Sequence, residues 1–372
     1  MIYRDLDGAK VSMLGFGCMR FKLDENKNII EEYAAELFDN AIKAGVNYFD
    51  TAYNYCGATS ETITGKLLDK YPRDSYYLAT KLPVWKCQSV EDAKNIFEEQ
   101  LKKLNKDYID FYLLHAIGKK DYDRVKELGI VDFVQTLKDS GKIRHYGFSF
   151  HDNYEAFEHI IKDRKWDFCQ IQYNYMDCDS QATDKGYALA EELGVPLIIM
   201  EPLKGGTLAN LPESVKEPFK KVDASRSEAA WSLKWLVAHK NVKLILSGMN
   251  ENSQLYDNVE SLDSESDFTA EEFKAVADVK AAIHKRVRNG CTGCAYCMPC
   301  PQGVDIPGNF RRWNDYAMYH EADVDGNWRF TPSPNRDGGA EKCIGCGQCE
   351  SICPQKISII DDLAKIVKES TK

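Results

Sequence analysis

Eight of the thirteen cysteines fall in two short runs, Cys291-x2-Cys294-x2-Cys297-x2-Cys300-Pro301 and Cys343-x2-Cys346-x2-Cys349-x3-Cys353-Pro354. Three thiols stepping by three, then a fourth followed by proline, present thiolates to one cubane cluster and lend the last to a neighbouring cluster. Two such runs predict two [4Fe-4S] clusters. Cys291, Cys294, Cys297 and Cys353 would hold one, and Cys343, Cys346, Cys349 and Cys300 the other. Zinc sites also use C-x2-C pairs, and eight cysteines can form four disulfides. A tetrahedral zinc site draws on two separated pairs, whereas a third cysteine two residues further on, with proline after the fourth, is the cluster pattern. The first run departs from that pattern in its last gap, two residues where three are usual.

A second set of residues invites acid–base chemistry. Asp50, Tyr55, Lys81 and His115 each stand at, or just beyond, the end of a short apolar run. Singly, each has an ordinary use: a helix cap, a packed ring, a solvated amine, a satisfied core imidazole. Together they make a proton donor. A phenol of pKa ~10 is a poor acid at neutral pH, and an adjacent ammonium favours its phenolate. Lys81 is therefore expected to lower the pKa of Tyr55, and Asp50 to keep Lys81 charged and oriented. His115 would donate a hydrogen bond to a carbonyl oxygen and assist proton transfer. The set reads as carbonyl reduction.

Four strand ends meet only on a suitable scaffold. From residue 14 to about 260, eight apolar runs alternate with segments of helical period: 14–18, 47–51, 76–80, 110–114, 144–149, 168–173, 196–200 and 243–247. In the first helix, Ala34, Leu37, Phe38, Ala41 and Ile42 line one face and Gly45 supplies a stop. Further helices are expected near 60–70, 90–104, 124–139, 152–163, 181–193, 226–239 and 252–261. Strands apolar on both faces and separated by helices demand a parallel sheet covered by helices. Eight repeats fit a closed (β/α)8 TIM barrel, whose strand C-termini carry the chemistry. An open doubly wound sheet that binds a dinucleotide normally shows G-x-G-x-x-G after its first strand, and none is present. Ahead of the barrel, a hairpin turning at Asp7-Gly8 is expected to plug its floor.

The chain has 372 residues, 44% of them hydrophobic, and a net charge of −10. That length suits one large domain and a smaller module. The expected division is a barrel over 1–262, a helical linker over 263–289 and a small α-rich, ferredoxin-like domain over 290–372. The 42 residues (301–342) between the cysteine runs predict an inserted helix over the aromatic stretch 309–320 and a loop over 333–339. No basic run is dense enough for nucleic acid. No apolar run approaches the ~18 residues of a membrane span, and the start MIYRDLDGAK lacks the apolar stretch expected of a signal peptide. Thiolates and oxygen-sensitive clusters need a reducing compartment, so the expected location is cytoplasmic. Cys18, Cys56, Cys87, Cys169 and Cys178 share no spacing and are expected to be ordinary buried residues.

The phrases Asp50-Thr-Ala-Tyr-Asn-Tyr55-x5-Glu61, Ala79-Thr-Lys81 and Asp110-Phe-Tyr-Leu-Leu-His115 resemble the aldo-keto reductase family, in order and on the matching strands. The resemblance covers roughly residues 1–260, and the whole chain is similar to a subgroup with a C-terminal two-cluster domain. It implies hydride transfer between a nicotinamide and a carbonyl carbon of a small aldehyde, ketone or alcohol. Tyr55 would be general acid in reduction and general base in oxidation. Carried over from the family, Ser149 and Gln172 would hold the carboxamide. Pro202, Leu203, Gly205 and Gly206 would line the diphosphate, with Lys204 paired to it, and Gly248, Gln254 and Asn258 would meet the adenosine. Met200 stands where an aromatic commonly stacks on the nicotinamide, Phe150 replaces an asparagine partner of the carboxamide, and Gln254 replaces a basic residue for a 2′-phosphate. The cofactor is thus NADP or NAD. The clusters either serve an electron-transfer protein partner or stabilise the fold, and the alternative to a reductase is a redox-responsive binding or electron-transfer subunit whose clusters pass electrons to a partner protein. Stretches 19–30, 84–89, 116–124 and 203–225 are expected to set substrate specificity, with Trp85 and Tyr53 lining the pocket.

Overall fold

The computed structural model describes residues 1–265, 267–320 and 338–370. Residues 333–337 of the expected loop lie outside the described residues. A hairpin of β1 (Tyr3–Leu6) and β2 (Ala9–Ser12) opens the chain. Eight strands follow: β3 (Leu14–Gly17), β4 (Tyr48–Asp50), β5 (Tyr77–Leu82), β6 (Ile109–Ile117), β7 (Ile143–Phe150), β8 (Phe168–Gln172), β9 (Leu197–Met200) and β10 (Val242–Ser247). They pair in sequence order, and β10 closes on β3 to make a barrel. Each pairing is parallel, which is why the strands read as apolar on both faces.

The helices on the outside are α1 (Glu31–Lys43), α2 (Ser60–Leu68), α3 (Val90–Leu104), α4 (Lys119–Glu127), α5 (Ile130–Asp139), α6 (Tyr154–Asp163) and α7 (Thr183–Glu192). Later come α8 (Glu217–Asp223), α9 (Glu228–Val237) and α10 (Asn252–Ser261). The single helix expected over 124–139 is two. Gly129 sits at φ 75, a left-handed conformation that ends α4 and redirects the chain into α5. The hairpin turns where expected, with Asp7 and Gly8 both at positive φ, the twist of a tight hairpin turn. Its Leu6, Ala9 and Val11 pack against Tyr48, Phe111, Phe168, Ile198 and Leu244 at the barrel floor, and His145 Nδ1 lies 2.8 Å from Asp7 Oδ2.

Helix α2 approaches α3 closely at Gly65, where an added Cβ would lie 2.3 Å from the backbone oxygen of Leu104. Backbone cannot step aside as a side chain does. Gly65→Ala is therefore expected to lose about 1–3 kcal/mol of stability, read as a lower midpoint in anaerobic urea unfolding. An unchanged midpoint would contradict this packing.

Contacts divide the chain into two units, one of residues 1–208 and 227–268, the other of 209–226 and 269–372. Residues 209–226, most of a stretch expected to shape specificity, thus group with the C-terminal part. In this second unit α8 packs on α11 (Ala270–His284), and Arg226 reaches Glu272 at 2.6 Å. The helix expected over 309–320 is α12 (Ile306–Tyr319), capped by Asp305, whose Oδ1 accepts from Gly308 N at 3.0 Å. Among the described residues two helices follow, α13 (Gln348–Ser351) and α14 (Ile359–Ser370). Val304, Ile306, Phe310 and Trp313 form a core with Ile359, Leu363 and Ile366, and Cys353 is buried in it. No helix of the described residues is long and apolar enough to cross a membrane.

Candidate active site and cysteine centres

Asp50 ends β4 and Tyr55 begins a short 3-10 turn just after it. Lys81 and His115 lie inside β5 and β6, not beyond them as the apolar runs implied. Strand β6 shifts register between Leu114 and Ile117, and Ala116, at φ 52, donates its N–H to Ser149 Oγ at 2.7 Å. This irregularity lets the strand continue past His115.

Lys81 is fully buried. Its Nζ donates to Asp50 Oδ1 at 2.6 Å, to Thr51 O at 2.8 Å and to Tyr55 OH at 3.3 Å. Three acceptors use all three protons of an ammonium, so the geometry calls for the charged form. Burial alone would depress the Lys81 pKa; the Asp50 carboxylate and the Tyr55 phenol outweigh it and hold it above the usual range. The expectation of a lowered Tyr55 is corrected. Desolvation raises it, and the pull of Lys81 in the other direction is the smaller effect. A buried phenolate loses more hydration than one ammonium at hydrogen-bond distance restores. The phenol is thus protonated at neutral pH, and because its oxygen accepts from Lys81, its own proton is available to another acceptor.

His115 meets Tyr55 edge to face, with ring centroids 5.9 Å apart. Its pKa falls to about 2 through burial first and the Lys81 charge second. The ring is neutral, and its buried Nδ1 has no hydrogen-bond partner among the described residues. Trp85 packs beside it at 5.1 Å. Tyr53 turns elsewhere: its hydroxyl donates to Glu99 at 3.0 Å, and Lys103 Nζ sits 3.9 Å from its ring centre. After Tyr55, residues Cys56, Gly57 and Ala58 all have positive φ. Cys56 and Cys178 are half-buried, unlike the buried Cys18, Cys87 and Cys169.

The residues expected to hold a nicotinamide dinucleotide lie along β7 to β10 and the loops after them. Ser149 is buried, with its hydroxyl engaged as above. Gln172 has both ends of its amide occupied, donating to Asp177 Oδ2 and accepting from Gln181 Nε2, each at 2.9 Å. Gln170, two residues earlier on the same face of β8, is buried; its Nε2 lies 3.5 Å from Met200 Sδ and its Oε1 has no partner among the described residues. Met200 ends β9, half-buried. Beyond Pro202 and Leu203, Lys204, Gly205 and Gly206 take positive φ in succession, in a turn where Lys204 N–H donates to Glu201 O at 3.1 Å and Gly206 N–H to Leu203 O at 2.9 Å. Lys204 Nζ is bonded to Asp177 Oδ1 at 2.6 Å. Burial pushes Asp177 up, but Lys204, Asn174 and Gln172 together hold it below the usual carboxylate range. Gln254 accepts from Asn250 N at 2.9 Å, and the buried Asn258 donates to Ser247 Oγ at 2.9 Å. Gly248 is covered by Arg20: a Cβ there would lie 3.0 Å from Arg20 Cδ. The Arg20 guanidinium reaches toward Gly205 and lies 3.5 Å from Glu201. Sequence reasoning passed over Arg20; its signal is a cation three residues beyond the first barrel strand, with Lys22 two residues further on.

In the second unit the cysteines gather around two small apolar cavities. One is lined by Cys291, Cys294, Cys297 and Cys353, the other by Cys300, Cys343, Cys346 and Cys349, and Ile306 lines both. None is in a disulfide. Tetrahedral zinc brings its sulfurs within about 3.8 Å of one another. Among the described residues, no three of these thiols lie even within 4.8 Å of one another. Four thiols spread around an apolar hollow suit a cluster better than a single ion.

A family model described as the aldo/keto reductase family matches residues 13–281. The chain belongs to that family. A second model, described as a 4Fe-4S dicluster domain, matches residues 290–358. The uncharacterised oxidoreductase YqkF of Bacillus subtilis is 28% identical over 318 residues, covering 77% of this chain and 97% of its own. L-galactose dehydrogenase of Arabidopsis thaliana is 28% identical over 277 residues, 68% of this chain and 84% of its own. Among solved structures, the holo form of aldo-keto reductase AKR11C1 from Bacillus halodurans superposes with a TM-score of 0.64 at 26% identity, covering 75% of this chain and 96% of that one. An aldo-keto reductase from Klebsiella pneumoniae in complex with NADPH, at 18% identity and a TM-score of 0.61, shares the fold over 75% and 96% of the two chains.

For an aldo-keto reductase, the orphaned oxygen of the buried Gln170 and the open space beside Gly206, with the Arg20 guanidinium near Gly205, are features a nicotinamide dinucleotide fits.

Proposed function

We propose that the barrel reduces an aldehyde or ketone with NADH or NADPH, with Tyr55 as general acid. The observation that carries this reading is the triple bonding of Lys81. It leaves the ammonium charged, the phenol oxygen accepting and the phenol proton directed elsewhere. A reduced nicotinamide, when bound, would supply the hydride to the carbonyl carbon. Tyr55 passes its proton to the carbonyl oxygen as negative charge develops there, and Lys81 stabilises the phenolate left behind. Asp50 keeps Lys81 charged and aimed. Neutral His115 donates its single N–H to the same carbonyl oxygen and orients it. Ser149 and Gln170 hold the carboxamide, with Gln172 bracing the loop through Asp177. The 202–206 turn and Arg20 would line the diphosphate, Met200 would cover the nicotinamide ring, and Gly248, Gln254 and Asn258 would frame the adenosine end. Lys204 acts through Asp177, which already neutralises it.

The direct test is oxidation of NADH and NADPH by anaerobically purified protein against a panel of aldehydes; a protein inert with both cofactors across the panel contradicts the reading. Arg20→Ala is expected to raise the Kd for either cofactor about tenfold, with a weaker dependence on salt. Fluorescence titration of bound cofactor reads it, and an unchanged Kd removes Arg20 from the site.

The C-terminal cysteines are proposed to hold two [4Fe-4S] clusters with the last cysteine of each run crossed. The clusters supply one-electron capacity. Because Ile306 touches both cavities, they would be neighbours able to exchange electrons, which supports transfer to a protein partner. A reducing, cytoplasmic location follows from the same thiols.

A further inference from the structure

A polar layer lies behind Lys81, where α2 and α3 pack on β5 and β6. Glu61, Thr80, Gln100 and Tyr112 are all fully buried. Glu61 Oε1 accepts from Thr80 Oγ1 at 2.7 Å and from Gln100 Nε2 at 2.6 Å. The same Gln100 nitrogen donates to the backbone oxygen of Lys81 at 3.0 Å, and Gln100 Oε1 accepts from Tyr112 OH at 2.7 Å. The nearest cation, Lys103, stands 3.8 Å from Glu61 Oε2. One residue before Glu61, Ser60 Oγ donates to Cys18 O at 2.8 Å and lies 2.8 Å from Thr51 Oγ1. The start of α2, which follows directly on the turn bearing Tyr55, is thus fastened to the end of β4 by Ser60 and to the strand of Lys81 by Glu61.

Burying a carboxyl and an amide between helices and barrel is unfavourable compared with apolar side chains of similar size. A layer that only had to pack would be better served by leucine. Bonds with direction fix the relative position of two backbones, which apolar contact does not. The contact that needs fixing is the one between Lys81 Nζ and Tyr55 OH, at 3.3 Å already long for a hydrogen bond.

We propose that Glu61 and Gln100 are positioning residues for the reduction: they hold the strand of Lys81 against the turn of Tyr55 so that the ammonium stays within reach of the phenol. This rests on the carbonyl-reductase reading above. Neither residue touches the reacting atoms, and neither is within the set whose charges act on Tyr55.

The test compares Gln100→Leu, Glu61→Leu and Glu61→Gln in the anaerobic full-length holoprotein. Gln100→Leu and Glu61→Leu are expected to lower kcat about tenfold, with KM for the cofactor within about twofold of wild type. Both should move the alkaline limb of the kcat profile upward by about half a unit or more, because the ammonium that draws the phenol pKa down has receded. Glu61→Gln keeps the acceptor for Thr80 and Gln100 and should keep the wild-type limb. A purely structural loss lowers the active fraction and leaves the limb in place. A direct titration of Tyr55 by NMR of isotope-labelled tyrosine, assigned with Tyr55→Phe, reads the same shift without turnover. Should wild type reduce no aldehyde, the reductase reading fails while this titration still decides the positioning. Folded Gln100→Leu with an unmoved Tyr55 titration overturns the proposal, as does Glu61→Gln shifting as far as Glu61→Leu.

Discussion

Replacing Tyr55 with phenylalanine is expected to lower kcat for aldehyde reduction about a thousandfold while leaving the cofactor Kd within about twofold of wild type. The two effects separate because the ring remains. Lys81 Nζ lies 4.8 Å from the centre of the Tyr55 ring and 3.3 Å from its oxygen, so the variant keeps the packed face and loses only the proton donor. Water can protonate a developing alkoxide poorly, which leaves a residual rate. The pH dependence follows from the sign of the shift. Desolvation raises Tyr55 above its ordinary range despite Lys81, so the acid form persists through neutral pH and is lost only as pH climbs through the raised value. Reduction should therefore be level around neutrality and fall on the alkaline side, whereas alcohol oxidation, which needs the phenolate, should rise there. His115 contributes no limb in the neutral range, because its pKa lies near 2. A Tyr55→Phe protein with undiminished kcat and a weakened cofactor complex would contradict the assignment.

The barrel was legible because its signal repeats. Eight apolar runs of similar length, each followed by a helical period, admit few architectures, and the parallel closure of β10 on β3 satisfies them all. The meeting of Asp50, Tyr55, Lys81 and His115 was legible for the same reason: strand ends converge in a barrel, so residues distant in sequence can be placed together before any side chain is seen. What could not be read depended on exact backbone. The break at Gly129 needed its positive φ. The pKa of Tyr55 needed the balance between one ammonium and a desolvated pocket, and spacing carries no information about desolvation. Gln170 and Gln172 differ by one strand repeat and share a face, so sequence alone could not say which amide is tied up by Asp177 and Gln181. Arg20 has no periodic signature at all, and it meets Gly205 and Gly248 only through the closure of the barrel.

Crossed ligation of the clusters predicts an outcome that pairs of cysteine substitutions can read. The two cavities draw their linings from both runs, Cys353 joining Cys291, Cys294 and Cys297, and Cys300 joining Cys343, Cys346 and Cys349. Wild type should hold about eight irons and eight labile sulfides per chain. Cys294→Ser with Cys353→Ser removes two ligands of one cluster and should leave about four irons. Cys294→Ser with Cys346→Ser removes one ligand from each and should leave almost none. Without crossing the first pair would strike both clusters, and Cys294→Ser with Cys300→Ser would be the pair that spares four. Cys294 and Cys346 are exposed, so their loss disturbs ligation more than packing, whereas Cys353 is buried beside Ile306 and Leu363. Cys291→Ser with Cys294→Ser, confined to one cluster on either scheme, therefore serves as the reference for four irons. The proposed crossing would also have a mechanical consequence. A ligand bond between the first run and Cys353 closes a long loop, and by the relation for a covalent cross-link such closure is worth about 4 kcal/mol against the unfolded chain. Because Cys300 would still tie the first run to the second in the Cys294/Cys353 variant, the Cys294/Cys346 pair, which removes both ties, should lower the urea midpoint of the second unit the more; zinc bound in place of iron, or eight irons retained by the Cys294/Cys353 variant, would contradict the scheme.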